Sequence, residues 1–431
     1  MSRTDKNVKL TNITLLAVCY AFYAAFDIRG LIILIALSLF SYMGGKFITD
    51  SLCAGDEHKA KMFCALFIAT QVGVLCYFKY SPAIPLPVGM SFYMLMAISF
   101  LVDCAKGCFA EFPSVWEVLI FISFFPTILS GPILKAKDFI PQINSRAHIS
   151  RERFTKGVWL IALGLFMKLC MADRLAVSVD KVYSAPLVYS GMTLFLTSIG
   201  YSLQLLFDFA GYSNMAVGVA TILGFDIPVN FNLPYMATNP SEFWARWHIS
   251  LSSWLKEYVY IPLGGNRKGT VRTYINILLV MIVSGLWHGS TINFLLWGVL
   301  HGVGQMVHRM FFGRKKDAHQ LIRILSMICN FLFVNFLWIP FRVATLSDTW
   351  CVIKRIFTFA GGATYCYVYT FIFGAVLLVV QYIGATKFGG NDPLRPLAFD
   401  RLYARIIFCI LLIATAMFAY FGNSAFIYAQ F

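Results

Sequence analysis

The stretch Ser284-Gly-Leu-Trp-His-Gly-Ser-Thr-Ile-Asn-Phe294 decides the fold class of this chain. It places an ionisable side chain, His288, inside an apolar run that continues on both sides for the thickness of a membrane. Polar and titratable groups are costly in a bilayer, so those that persist usually face a cavity, a partner or a reaction. The stretch therefore predicts a membrane-embedded segment that carries a candidate functional histidine.

The composition of the whole chain is that of a membrane protein. Of its 431 residues, 59% are hydrophobic and only 13% are charged, which excludes an ordinary soluble globule. A membrane span needs roughly 20 mostly apolar residues. We expect an all-α polytopic integral membrane protein of roughly 9 to 12 transmembrane helices, with re-entrant and amphipathic helices around a central tunnel. The apolar runs lie near 11–28, 30–49, 62–79, 85–103, 115–134, 157–173, 186–207, 209–227, 272–288, 291–312, 321–341, 367–386 and 402–422.

The polar connections between these runs are short, so residues 1–431 are predicted to form a single integral membrane domain. The polar start at 1–10 predicts an uncleaved N-terminus, since no cleavage site follows it. Eleven cysteines stand singly without a C-x-x-C pair, and neither they nor the seven histidines predict a metal site.

The net charge of +15 is concentrated in the connecting loops. Such a bias predicts loops on the cytoplasmic side of the membrane, and it does not indicate nucleic-acid binding. In one of the loops the same charges could also hold an anionic cofactor. The basic clusters lie at 58–61, 146–156, 266–272 and 314–316.

The most informative non-spanning segment is the predicted amphipathic helix and basic turn at 239–270. Asn239-Pro-Ser-Glu242 has a helix N-cap, proline in the first turn and Glu three residues after the cap. From there, aromatic and apolar residues recur at helical spacing as far as Tyr258, which predicts an interfacial helix. Arg246 and His248 fall on it. Taken alone, His248 is either a hydrogen-bonded interfacial residue or a catalyst.

Tyr260-Ile-Pro-Leu-Gly-Gly-Asn-Arg-Lys-Gly269 follows this helix. The glycines Gly264 and Gly265 would let backbone amides approach a ligand, and Arg267 and Lys268 add positive charge, as in a phosphate-binding turn. A basic turn that returns the chain to the membrane would have the same sequence. Both interpretations stay open.

Three blocks in a fixed order share a pattern with a known enzyme family. They resemble the bacterial branch of the membrane-bound O-acyltransferase family, and within it the alginate O-acetyltransferase subgroup. The blocks are Phe124-Phe-Pro-Thr-Ile-Leu-Ser-Gly-Pro132 with Lys137-Asp-Phe-Ile-Pro-Gln142, then Phe207-Asp-Phe-Ala-Gly-Tyr-Ser213 with Glu242-Phe-Trp-Ala-Arg-Trp-His-Ile-Ser-Leu-Ser252, then Ser284-Gly-Leu-Trp-His-Gly289, with Phe426-Ile-Tyr-Ala-Gln-Phe431 at the end.

The resemblance implies a multi-pass enzyme of the bacterial inner membrane. Such an enzyme takes an acyl group, here an acetyl group, from a cytoplasmic thioester donor, acetyl-CoA. It passes the group through the membrane for O-acetylation of an extracytoplasmic polysaccharide. It implies that His288, in a catalytic segment at 284–302, is the catalytic histidine and that His248 is the second one. It further implies membrane lipid around the chain, a separate extracytoplasmic O-acetyltransferase as partner, and no permanently bound cofactor.

Four further residues are candidates for the supporting or tunnel-lining positions: Asp208, Arg246, Trp287 and Asn293. Asp208 could orient an imidazole, pair with Arg246, line a channel or pack between helices. Trp287 could shape a tunnel beside His288 or only pack. Asn293 could donate a hydrogen bond to a developing oxyanion. His301, by contrast, is expected to bond to a neighbouring helix.

Three other functions remain open on the sequence. A teichoic-acid D-alanyl transferase of the same fold would use a carrier-protein thioester in place of acetyl-CoA. A proton-coupled transporter or channel would use His288 and Asp208 as a proton relay. A non-catalytic scaffold for polysaccharide machinery would tolerate substitution of both histidines.

Overall fold

A computed structural model describes residues 3–81, 84–313, 319–365, 367–387 and 401–422. Within these ranges every regular element is a helix, and strand pairing is limited to two isolated bridges. The predicted all-α class is therefore confirmed. The basic cluster at 314–316 and the closing segment at 426–431 lie outside the described residues.

Seventeen α-helices make up the described part of the chain. Local capping starts several of them: the side chain of Asp27 accepts a hydrogen bond from the amide of Gly30, and Ser114 forms a capping box with Glu117. The helices are α1 (Arg3–Phe26), α2 (Ile28–Cys53), α3 (Glu57–Tyr80), α4 (Met90–Ala105), α5 (Val115–Ser123), α6 (Ala136–Phe139), α7 (Arg151–Phe166), α8 (Asp173–Tyr183), α9 (Gly191–Ile222), α10 (Pro240–Arg246), α11 (Ile249–Leu255), α12 (Thr270–His288), α13 (Ile292–Phe311), α14 (Gln320–Arg342), α15 (Leu346–Phe357), α16 (Val368–Lys387) and α17 (Leu402–Phe418). Short 3-10 helices lie at Ile140–Ile143 and Pro234–Met236, and π-helical turns at Met167–Ala172 and Lys256–Tyr260.

Among the described residues, six helices are long and apolar enough to cross a membrane. They are α2, α3, α9, α12, α14 and the Val8–Phe26 part of α1. Shorter apolar helices lie at Met90–Ala105, Val368–Val380 and Leu402–Phe418. Many of their large apolar side chains point outwards, as lipid-facing side chains do. The chain is thus a polytopic membrane protein, while the count of roughly 9 to 12 crossings and the central tunnel stay predictions.

The described residues form two compact units. The first comprises the chain up to Val158 together with Ala216–Pro228, and the second comprises Trp159–Met215 and the described residues from Val229 onwards. All the predicted site residues from Asp208 to Asn293 belong to the second unit. The prediction of one integral domain stays a prediction.

The two spans predicted at 186–207 and 209–227 are wrong, because the structure has a single helix of 32 residues, α9, in their place. Gly211, which lies within this helix, is a packing position. A Cβ on Gly211 would lie 2.9 Å from the backbone oxygen of Gly164 in α7, so two helix backbones meet there. Only Gly224, with φ of +86°, lies beyond the end of the helix.

Candidate active site

His288 is the last residue of α12 and is buried, with 2% of its surface exposed. Its imidazole lies among three aromatic rings, with centroid distances of 4.8 Å to Trp287, 5.1 Å to Trp297 and 5.3 Å to Phe341. Gly289 ends the helix in an extended conformation. The apolar run predicted from the sequence thus delivers a titratable ring into an aromatic cluster inside the second unit.

His248 lies at a break in the segment that was predicted as one amphipathic helix. The predicted start is correct, since Asn239 accepts a hydrogen bond from the amide of Glu242 at 2.8 Å. The helix α10 nevertheless ends at Arg246, and α11 begins only at Ile249. The prediction of an unbroken helix from Asn239 to Tyr260 is therefore wrong.

The break is made by a left-handed backbone at His248, where φ is +44° and ψ is +53°. Left-handed residues other than glycine are uncommon and need support from their surroundings. Part of that support is local, because the Nδ1 atom of His248 accepts a hydrogen bond from the amide of Leu251 at 3.2 Å. His248 is thus the N-cap of α11, and in the neutral ring its proton lies on Nε2.

Asn230, which the sequence analysis did not single out, provides the rest of that support. Its backbone oxygen accepts from the amide of Ile249 at 3.0 Å, and its side-chain oxygen accepts from the hydroxyl of Ser250 at 2.6 Å. Its side-chain amide donates to the hydroxyl of Ser213 in α9 at 3.1 Å. A signal was available: Asn230 is a polar residue between the apolar end of α9 and the next helix. Its partners, however, are distant in sequence.

Both histidines contact Trp287. The imidazole of His248 has its centroid 6.2 Å from that ring, at an interplanar angle of 85°, and it lies 4.6 Å from the ring of Phe209 in α9. Edge-to-face contacts at these distances are favourable for aromatic rings. Trp287 therefore joins the two predicted catalytic histidines, which lie forty residues apart in sequence, into one cluster.

Burial lowers the pKa of His248 to about 3. The imidazole is consequently neutral at pH 7, and its proton lies on Nε2. Within the described ranges, no group of three or more His, Cys, Asp or Glu side chains is arranged to hold a metal ion. A neutral imidazole of this kind can exchange a proton with a bound substrate.

Asp208 does not pair with Arg246. It forms a buried ion pair with Lys168, whose Nζ lies 2.6 Å from Asp208 and 2.8 Å from Asp173. Lys168 belongs to the π-helical turn between α7 and α8, so the triad ties these helices to α9. Asp208 precedes Phe209, the residue whose ring lies 4.6 Å from that of His248, and its role as a supporting residue stays a prediction.

Arg246 pairs instead with Glu242 of its own helix, at 2.8 Å, and donates to the backbone oxygen of Asn232 at 3.3 Å. Burial raises the pKa of Glu242, but hydrogen bonds from Thr238 and the charge of Arg246 lower it overall. Arg246 thus links the end of α10, just before His248, to its first turn and to the backbone at Asn232.

Asn293 and His301 are both buried residues of α13. The side-chain amide of Asn293 donates to the backbone oxygen of Val343 at 2.7 Å, which attaches α13 to the end of α14. Its role as an oxyanion donor stays a prediction. His301 accepts a hydrogen bond from the indole of Trp244 in α10, at 3.3 Å, as its expected bond to a neighbouring helix requires.

The glycines of the basic turn do not present their amides to solvent. The amide of Gly264 donates to Ile261 and that of Gly265 to Tyr260, both at 2.9 Å. The prediction that these amides hold a phosphate is therefore not supported. Arg267 and Lys268 are exposed on the turn.

A hydrogen bond attaches the basic turn to α12: the side-chain amide of Asn276 donates to the backbone oxygen of Gly265 at 2.9 Å. Asn276 is buried, and α12 continues from it to His288. The exposed cationic turn and the buried histidine therefore lie at opposite ends of one helix. A ligand for both would need to extend along α12.

The sequence was compared with those of known proteins. Residues 12–346 match the model of the membrane-bound O-acyltransferase family. Over 369 residues, covering 81% of this chain and 73% of the relative, the sequence is 34% identical to a probable alginate O-acetylase AlgI of Azotobacter vinelandii. It is 30% identical over 393 residues to a peptidoglycan O-acetyltransferase of Helicobacter pylori, covering 81% and 74%. It is 29% identical over 267 residues to a teichoic acid D-alanyltransferase of Bacillus subtilis, covering 58% and 67%.

Proposed function

Because the chain belongs to the membrane-bound O-acyltransferase family, we propose that it takes an acetyl group from acetyl-CoA, a cytoplasmic thioester, and moves it across the membrane for O-acetylation of an extracytoplasmic polysaccharide. The enzyme class, O-acyltransferase, follows from the family and from the acetyltransferase relatives. Its apolar helices and its bacterial relatives make it a multi-pass protein of the bacterial cell membrane. The donor, the direction of transfer and the acceptor are the proposal.

The observation that carries the proposal is a pair of buried histidines, His248 and His288, whose rings both contact the ring of Trp287. A neutral imidazole at His288 accepts the proton of the acceptor hydroxyl while the hydroxyl oxygen attacks the thioester carbonyl. His248, kept neutral by burial, donates from Nε2 or orients the reacting groups. General acid–base help of this kind contributes about 10²- to 10⁴-fold in rate. The surrounding aromatic rings exclude water, which would otherwise hydrolyse the donor.

The exposed Arg267 and Lys268 would attract the phosphates of acetyl-CoA, an anionic donor, to this end of α12. The 19 residues of α12 put about 28 Å between that turn and His288, so the donor would leave the turn before its thioester reaches the base. Gly264 and Gly265 contribute the shape of the turn.

The acetyltransferase relatives cover more of this chain than the D-alanyltransferase does, 81% against 58%, which favours acetyl as the acyl group. A polysaccharide acceptor accords with the names of the alginate and peptidoglycan relatives. We further infer a separate extracytoplasmic O-acetyltransferase as partner, to which this chain would pass the acetyl group.

The test is transfer or hydrolysis of labelled acetyl-CoA by the purified protein in lipid vesicles. We expect the wild type to release acetyl from the donor and His288→Ala to lose this activity at unchanged expression. His308→Ala, which removes a partly exposed histidine that stacks on Phe312 at the far end of α13, is the matched control and should keep full activity. A fully active His288→Ala variant would remove the catalytic assignment.

A second experiment addresses the acceptor. A strain that lacks this protein should lose O-acetyl groups from one envelope or secreted polysaccharide, and the wild-type chain should restore them. If the loss is of ester-linked D-alanine instead, the teichoic-acid alternative is correct. If glycan esters are unchanged and activity depends on an ion gradient, the chain is the transporter of the other alternative.

A further inference from the structure

The helices α12 and α13 are packed backbone to backbone beside His288. A Cβ atom on Gly285 would lie 2.3 Å from the backbone oxygen of Phe294, and one on Gly298 would lie 2.4 Å from that of Met281. No side chain fits between the two helices at these positions. The residues that flank this contact, on α12 before His288 and on α13 around Trp297, are therefore brought into one small cluster.

Two hydrogen-bond donors in this cluster have no acceptor. The hydroxyl of Ser284 and the indole N–H of Trp297 belong to side chains that are fully buried. Among the residues that the structure describes, none offers an acceptor within hydrogen-bonding distance of either group. The nearby indole of Trp244 donates to His301, whereas the indole N–H of Trp338, which stacks on Trp297 from α14, also lacks an acceptor within the described part of the chain. Ser284 and Trp297 are two such donors on the helices that carry and flank His288.

A buried donor without an acceptor costs about 1–3 kcal/mol, and native proteins keep few of them. Serine in a helix ordinarily bonds to a backbone oxygen one turn earlier, as buried Ser38 does with Leu34 at 2.7 Å. Ser284 lacks even this bond in the described structure. Two such donors on the helices around His288 would be satisfied by an acceptor atom of a bound ligand.

Both donors lie next to the predicted base. Ser284 is one turn before His288 on α12, so the two side chains share a helix face at a Cβ separation of about 5–6 Å. The ring of Trp297 has its centroid 5.1 Å from the imidazole, at an interplanar angle of 87°. Both side chains therefore border the imidazole of His288.

We propose that Ser284 and Trp297 donate hydrogen bonds to the carbonyl oxygen of the acyl group and stabilise the negative charge that it carries in the transition state. The inference rests on the proposed acyl transfer, and it names the residues of the same site that would polarise the acyl carbonyl group. The ligand class is the carbonyl of an acyl thioester. Donors that are fixed in place before reaction, in a water-excluded site, are the arrangement that stabilises such an oxyanion.

The reaction balances with these groups. The acceptor hydroxyl oxygen forms a bond to the carbonyl carbon while its proton passes to His288, and the carbonyl electron pair moves onto the oxygen held by Ser284 and Trp297. When the carbonyl re-forms, the carbon–sulfur bond breaks. The thiolate takes the proton from the imidazolium of His288, which returns it to its neutral state.

The decisive variant is Ser284→Ala, because it separates catalysis from stability. Removing an unsatisfied buried hydroxyl should leave the resistance to unfolding unchanged or raise it. Removing an oxyanion donor should lower kcat about 10²- to 10³-fold with little change in KM for acetyl-CoA. Ser38→Ala, which removes a buried helical hydroxyl far from His288 in sequence, is the matched control and should keep kcat.

The second variant tests the indole N–H without changing the size of the ring. Replacement of Trp297 by 3-benzothienylalanine exchanges the N–H for sulfur, and kcat should fall by a similar factor while folding is kept. Trp297→Phe is expected to lower kcat as well, and its unfolding measurement shows how much of that loss comes from the cavity.

The outcomes separate this inference from the proposed function. An active wild type with Ser284→Ala and the benzothienyl variant at full kcat overturns the inference alone. A wild type that neither transfers nor hydrolyses acetyl from acetyl-CoA overturns the proposed donor, and the inference with it. A drop in kcat that is matched by lower resistance to unfolding in both variants assigns the two residues to packing and also overturns it.

Discussion

His248 carries two roles that substitution can separate. Its Nδ1 atom caps α11, and its Nε2 atom carries the proton that the proposed reaction would use. His248→Ala removes the cap, worth about 1 kcal/mol, and the contact with the ring of Phe209, and it leaves a gap in a fully packed cluster. Together these changes should cost about 2–4 kcal/mol of unfolding free energy.

His248→Asn should cost about 1–2 kcal/mol less than His248→Ala. Asparagine is among the best N-caps, and it tolerates the left-handed backbone that this position requires, with φ of +44°. Neither variant retains a group at the position of Nε2. Both should therefore lose about 10²- to 10⁴-fold in kcat for acetyl transfer, if His248 takes part in proton transfer.

The assay is SDS-induced unfolding in mixed micelles, followed by tryptophan fluorescence, together with transfer of labelled acetyl from acetyl-CoA. The expected pattern is an asparagine variant that is stable and inactive beside an alanine variant that is unstable and inactive. Equal stabilities would refute the capping argument. An asparagine variant with wild-type kcat would refute the catalytic role and assign His248 to structure alone.

Three further predictions concern charge. Burial lowers the pKa of His248 from the ordinary 6.5 to about 3, so between these pH values the unfolded chain binds a proton that the folded chain does not. The free energy of unfolding should therefore be highest above pH 6.5 and fall as the pH falls towards 3. His248→Asn should flatten that slope in unfolding measured from pH 7 to 4. Lys168→Met leaves two buried carboxylates without their cation and should cost about 3–5 kcal/mol, whereas Lys61→Met, in an exposed pair, should cost under about 0.5 kcal/mol in the same unfolding assay. Arg267→Gln and Lys268→Gln should each raise KM for acetyl-CoA several-fold at unchanged kcat in low salt, and the difference should shrink at high salt; an unchanged KM would remove this turn from the donor site.

The predictable part of the fold is what short-range patterns control. Apolar runs of membrane length gave α2, α3, α12 and α14 nearly at their observed ends, and the Asn239 cap gave the start of α10. The apolar run around His288 also indicated that its ring is buried. In these cases the residues that make the interaction are within a few positions of each other, so spacing alone is informative.

Interior glycines are ambiguous in sequence, because the residue type does not say whether a glycine ends a helix or lets another backbone approach. Gly211 lies within α9, at the place where the backbone of α7 packs against it. The partner of Asp208 could not be predicted from the sequence either, because Lys168 is forty residues away. Only the packing of α9 on the turn before α8 brings the Nζ atom of Lys168 within 2.6 Å of the Asp208 carboxylate.

The sequence by itself determined the membrane class, the helical content and the buried setting of His288, since hydrophobic length and period act locally. Only the tertiary structure decided the break at His248, because Asn230 and Ser213 hold the left-handed turn from outside the segment. It also decided that two buried donors lie beside His288. Their meeting depends on the close approach of α12 and α13 at Gly285 and on the packing of rings from distant helices, neither of which a linear pattern contains.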